Sequence, residues 1–217
     1  MTDFAAARAN MVENQLRPSN VDDRRILDAF LEVPRESFLP KRLRSVAYND
    51  EDLDLGNGRH LIEPLVLGRM LQVSRPSVEE VALVVGCDTG YAAAILSKLV
   101  ATVFLLAPDA EAATLIEAVL DELDCNNVVV QSGRATEGLP AQAPFNLILL
   151  AGSVPALPPA LKAQLDDRGR LVGVVQNERF GKLTLLTRVG DAHGITTPFD
   201  AWIPPVTGLQ PEESFVF

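Results

Sequence analysis

A continuous apolar run, Val81 to Val85, leads into Gly86-Cys87-Asp88-Thr89-Gly90 and then into a stretch of small helix-forming residues. A glycine loop between a strand and a helix lets backbone approach a ligand, and it equally lets helix and strand pack closely with no ligand at all. Cys87 stands near the helix start, a setting that lowers a thiol's pKa, yet no base lies beside it in sequence, so a packed small residue is the simpler role. Further upstream the chain reads Arg59-His60-Leu61-Ile62-Glu63-Pro64. Arg59 and His60 could together hold an anion, the guanidinium by a bidentate fork and the imidazole by one donor; the plainer reading is a surface arginine and a partly buried structural histidine. Glu63 could serve as a base, but the position before Pro64 is also that of an exposed helix-start acid.

Other groups carry less. Asp50, Glu51, Asp52 and Asp54 lack the spacing of a calcium loop and read as a solvated loop. The histidines are His60 and His193 and the cysteines Cys87 and Cys125, so no metal-ligand spacing exists. His193 is expected in a turn, and Cys125 at a helix end. Arg35, Lys41, Arg42 and Arg44 form a basic group that suits either an acidic protein surface or a solvated helical face.

These residues need elements to position them. Helical periodicity covers Asp3 to Leu16, Asp22 to Val33 and Pro64 to Val73, while the acidic, turn-rich stretch Tyr48 to Arg59 reads as a loop. From Glu79 the texture changes. Apolar runs at Val81–Val85, Val103–Leu106, Asn127–Gln131, Phe145–Leu150 and Gly169–Val175 alternate with helical segments at Tyr91–Leu99, Asp109–Leu123 and Leu157–Leu165. That alternation predicts parallel strands covered on both faces, closed by a hairpin over Leu183–Val189 and Ile195–Trp202. The expected class is α/β: a doubly wound, mainly parallel sheet over residues 76–217 behind an N-terminal helical lobe and loop at 1–75.

Size and charge narrow the function. A chain of 217 residues that is 47% hydrophobic can bury a real core, and its longest apolar runs fall short of a membrane span. Residues 1–78 carry 11 Lys and Arg against 12 acids, and residues 79–217 carry 8 against 17. A net charge of -10 repels a polyphosphate backbone, so nucleic acid is not an expected partner. Two cysteines make no disulfide framework and Met1-Thr2-Asp3 opens no signal peptide, which makes the cytoplasm the expected location.

Several motifs in order, Asn10 to Pro18, Val33-Pro-Arg-Glu-Ser-Phe38, Ala47-Tyr48-Asn-Asp50, the Gly56-x-Gly58 loop ending in Pro64, Val85-Gly86 to Gly90-Tyr91, Glu137-Gly-Leu-Pro140 with Ala143-Pro-Phe145, and Gly169-Arg-Leu-Val172, closely resemble the protein-L-isoaspartate O-methyltransferase family. The terminal Phe215-Val-Phe217 resembles its bacterial members. The resemblance implies the S-adenosylmethionine-dependent methyltransferase fold, S-adenosylmethionine as cofactor, and protein or peptide substrates methylated at isoaspartyl carboxylates.

It also shows where the chain departs. The family's acid at the end of the first sheet strand corresponds to Val84, its middle loop glycine to Asp88, its ribose-binding acid to Ala107, and the aspartate of its Gly-Asp pair to Arg134. Gly86 and Gly90 stay as the remaining cofactor-loop positions, and Ile62 stands where the family carries a reactive serine. A hydrogen bond to a charged group contributes about 1.5–3 kcal/mol, so losing two or three costs several orders of magnitude in affinity unless something replaces them. Asp88 could turn toward the cofactor's ammonium and Asp109 toward its ribose, although Asp109 is more simply a helix cap. Two readings follow: a methyltransferase with weakened or lost activity, and a non-catalytic member that binds a protein or other ligand in the old cleft.

Overall fold

A computed structural model describes residues 3–210, so the terminal Phe215-Val216-Phe217 motif lies outside the described residues. Helix α1 (Phe4–Met11), capped by the Asp3 carboxylate, runs on through a π-turn at Val12–Leu16. Helix α2 (Arg24–Glu32), capped by Asp23, buries Ile26, Leu27 and Phe30 at the spacing that marks one helical face. Two 3-10 turns follow, Arg35–Phe38 and Lys41–Val46. The stretch expected to be a loop instead forms an antiparallel hairpin, β1 (Leu53–Gly56) with β2 (Arg59–Leu61). Asn57 and Gly58 adopt positive φ at its turn, the two-residue geometry whose twist matches paired strands. Helix α3 (Pro64–Ser74) then leads to the sheet.

Arg35 overturns the reading of a solvated basic face. Its side chain is fully buried, Nε donating to the Ala47 carbonyl at 2.7 Å and Nη2 to that of Ile62 at 2.8 Å. The guanidinium also lies 4.9 Å from the Tyr91 ring centroid. A buried cation survives only when it is hydrogen-bonded, and here the two bonds tie the end of the second 3-10 turn to the hairpin's exit, while the ring contact reaches the first helix after the glycine loop.

That second half alternates as expected: β3 (Val81–Val85), α4 (Tyr91–Ser97), β4 (Thr102–Ala107), α5 (Ala110–Glu122), β5 (Val128–Ser132), β6 (Phe145–Val154), α6 (Pro159–Ala163), β7 (Leu165–Gln176), β8 (Gly181–Val189) and β9 (Ala192–Asp200). The seven-stranded order is β5-β4-β3-β6-β7-β8-β9, parallel from β5 to β7 and antiparallel over β8 and β9. His193, expected in a turn, lies inside β9 and pairs with Arg188; the turn itself is Gly190-Asp191.

Alternation along β3 divides the core. Ala82 and Val84 face a cluster shared with Met11, Leu16, Phe30 and Leu67, whereas Leu83 and Val85 face one with Phe145, Leu161 and Val206. The N-terminal helices therefore share one core with the sheet. Among the described residues no helix is long and apolar enough to cross a membrane.

Candidate functional site

The chain leaves β3 for β4 and β5 on one side, then returns to β6 on the other, so the loops around the end of β3 diverge and open a crevice. Gly86 and Gly90 make the loop possible, with φ of +80° and +89°, where side chains with a Cβ are strained. Beside the loop lies a cleft of 270 Å³ lined by Gly86, Asp88, Leu106, Pro108, Gly133 to Thr136, Thr207 and Gly208. Part of its wall is a strap that sequence reasoning missed. Ser153 N donates to the Pro204 carbonyl at 2.8 Å and Val206 N to that of Ser153 at 2.9 Å, which folds the segment after β9 back across the end of β6. Val206 then fills the space over Gly86; a Cβ built on Gly86 would stand 2.7 Å from its Cγ2. The only forewarning was Pro204-Pro205, which cannot continue a strand.

Each residue singled out from the sequence has a definite place. Val84 is buried in the core, where an ionised carboxylate would need a partner. Ala107 is buried as well and contributes nothing to the cleft lining. Arg134 lines the cleft but pairs with Glu137 at 3.2 Å, both side chains well exposed, a contact worth about 0.2–1 kcal/mol. The two substitute acids are engaged elsewhere. Asp109 caps α5, its Oδ1 accepting from Ala112 N at 2.8 Å. Asp88 Oδ2 accepts from His60 N at 3.1 Å, which joins the glycine loop to β2. Burial pushes the Asp88 carboxyl up, while the His60 amide and the charge of Arg59 pull it back.

The hairpin corrects a pairing. Arg59 and His60 are neighbours on a strand, so their side chains leave opposite faces and cannot hold one anion between them. His60 turns to a small cavity with Ile62, Cys87 and Tyr91, where its Nδ1 is buried without a partner. Arg59 turns to a different cleft, with Arg42. Ile62 is buried and offers no donor. Glu63, expected as an exposed acid, is half-buried; desolvation first, then Asp52 and Asp50, push its pKa up to about 7. Asp52 does not belong to a solvated loop either, since its Oδ1 accepts from Glu63 N at 2.8 Å. Cys87 and Cys125 are buried, and burial raises both thiols, which suits packing rather than nucleophilic work. Among the described residues no group of three or more His, Cys, Asp or Glu could hold a metal.

An adenosyl sulfonium ligand does not fit this lining well. Among the described residues the ends of β4 and β5 present no acidic acceptor to the cleft, and Asp88, the one carboxylate of its described lining, has one oxygen committed to His60.

The similarities to known proteins are end to end. A profile of the Protein-L-isoaspartate(D-aspartate) O-methyltransferase family matches residues 6–203. A relative named protein-L-isoaspartate O-methyltransferase, from Koribacter versatilis (strain Ellin345), is 41% identical over 210 residues, covering 97% of this chain and 95% of its own. One of the same name from Roseiflexus sp. (strain RS-1) is 35% identical over 206 residues, covering 95% and 94%. Among solved structures, a protein-L-isoaspartate O-methyltransferase superposes with a TM-score of 0.82 at 22% identity, over 94% of this chain and 67% of its own. A putative one from Plasmodium falciparum, in complex with S-adenosyl-L-homocysteine, gives 0.79 at 16% identity, over 96% and 100%. At such identities the structural likeness speaks for the fold, which is that of the S-adenosylmethionine-dependent methyltransferases.

Proposed function

The chain belongs to the protein-L-isoaspartate O-methyltransferase family, and from that premise we propose that its carboxyl methyltransferase activity on isoaspartyl proteins or peptides is weakened or lost. Methyl transfer to a carboxylate asks a protein mainly to hold two partners in line and keep water out, with little acid or base work. The cofactor grip therefore decides the rate, and the observation that carries this reading is the engagement of the one carboxylate that lines the cleft among the described residues: Asp88 holds the His60 amide. Asp109, the other candidate substitute, is spent on its helix. On the substrate side Ile62 gives a carboxylate nothing to bond to, and His60 and Arg59 face apart.

The division of roles we propose follows residue 75: the N-terminal segment supplies the hairpin and the substrate-side wall, and residues 76–217 supply the cleft. We also propose a cytoplasmic location and protein rather than nucleic-acid partners, the latter supported by the net charge of -10. The test is transfer of labelled methyl groups to an isoaspartyl peptide. A rate about 100-fold or more below that of a relative bearing all the rim acids is expected from the loss of charge-assisted contacts. A rate equal to such a relative's would refute the proposal, and an undetectable one would favour its extreme form, a cleft that binds without methylating.

A further inference from the structure

Asp88 also lines, together with Thr89, a second cleft of 320 Å³ between α5, the β1–β2 hairpin and the 3-10 segment before it. Its floor is apolar. Ala112, Leu115, Ile116 and Val119 recur at the spacing of one helical face, and Phe38 and Leu55 close the opposite side. Leu115 is 58% exposed there, a large apolar side chain left in water at a concave surface. Among the described residues the charged groups of the lining are Arg42, Arg59 and Asp88. Arg42 Nη2 donates to the Leu55 carbonyl at 3.2 Å, which anchors its guanidinium over β1 and leaves its other donors free for a ligand. Among the described residues neither arginine forms a salt bridge. Two cations against one carboxylate leave this cleft one negative charge short, in a chain whose net charge is -10.

We propose that this second cleft binds a small amphipathic monoanion, a carboxylate on an aliphatic body, with Arg42 and Arg59 on the carboxylate and Leu55, Leu115, Ile116 and Val119 around the aliphatic part. Guanidinium forks match carboxylate geometry, and two of them around an apolar floor select against both a cation and a neutral alcohol. A phosphate dianion would overshoot the missing charge and leave the floor wet. The volume lies at the low end of small-molecule sites, so the ligand is of fragment size. The site uses no group of the first cleft except the shared wall at Asp88, and it stands or falls independently of methyl transfer.

The probe is octanoate titrated into the full chain, with octanol and octylammonium as controls, followed by thermal midpoint and by methyl chemical shifts. Octanoate is expected to raise the midpoint saturably and to shift the Leu55, Leu115 and Val119 methyls. Octanol should bind about tenfold or more weaker, and octylammonium should not bind. Arg42→Gln and Arg59→Gln should each weaken octanoate by about tenfold or more. No saturable effect of octanoate, equal binding of octylammonium, shifts confined to the first cleft, or undiminished affinity in the two variants would each overturn the proposal. The comparison of the three probes on the unaltered chain stands even where a variant does not fold.

Discussion

At the ends of β3, β4 and β5 the described residues line the first cleft with backbone, alkyl groups and hydroxyls, one carboxylate tied to a neighbouring amide and one arginine tied to Glu137. The second cleft, across Asp88, is closed by the N-terminal hairpin and holds two arginines that form no salt bridge among the described residues. One is a cavity that topology alone would create, because diverging loops at the switch in strand order leave a crevice whatever side chains line it. The other exists only because particular residues of the hairpin and α5 meet. A fold can keep the shape of a site after the chemistry of that site has gone, so shape and charge have to be argued separately.

The sharpest way to break the contrast is at Gly86. With φ at +80° and Val206 against the position of a Cβ, Gly86→Ala should cost about 3 kcal/mol in urea unfolding, and Val206→Ala should restore part of it by relieving the contact but not the backbone strain. A loss under about 0.5 kcal/mol, the level of an ordinary surface change, would mean that the strap does not wall the first cleft. Next in size is repair of the stripped rim. Ala107→Glu together with Arg134→Asp should raise affinity for S-adenosylhomocysteine by about 100-fold, measured by calorimetry. No gain would move the obstruction from the missing acids to the backbone around Asp88.

The smallest effect concerns the hairpin's exit. A carboxyl whose folded pKa stands above its ordinary value binds extra protons in the folded chain, so stability is lost as pH rises from about 4.5 to about 7 for Glu63. Asp50, Asp52 and Asp88, raised by burial, act in the same direction. Glu63→Gln should flatten that part of the profile and stabilise the chain above pH 7 by about 1 kcal/mol, a figure discounted for the solvent around a half-exposed group. A steeper profile in the variant would show the sign to be wrong.

The sheet was legible because buried parallel strands are written as short continuous apolar runs, and the rim positions Gly86, Asp88, Ala107 and Arg134 could be located from the family's motifs. The hairpin was not. Its strands are three and four residues long and the first begins inside the acidic run Asp50 to Asp54, whose texture outweighs the Asn57-Gly58 turn signal. Without β2 the sequence leaves open a shared anion site for Arg59 and His60, which the extended backbone closes by sending the two side chains to opposite sides. The burial of Arg35 has no sequence signature, because a run of basic residues carries no mark of which one the fold will bury. The engagement of Asp88 was invisible for a different reason: its partner lies 28 residues upstream and is a backbone group, identical at every position of the chain.

We propose that this cleft keeps the family's shape without its grip on an adenosyl ligand. Calorimetric titration of S-adenosylhomocysteine into the full chain tests it most directly. The expected result is no saturable heat up to about 1 mM ligand, the regime in which about 4 kcal/mol or less of binding free energy is available. Saturable binding with a dissociation constant near 1 μM, about 8 kcal/mol, would contradict it, since the residues at the ends of β3, β4 and β5 would then hold what their charges give no means of holding.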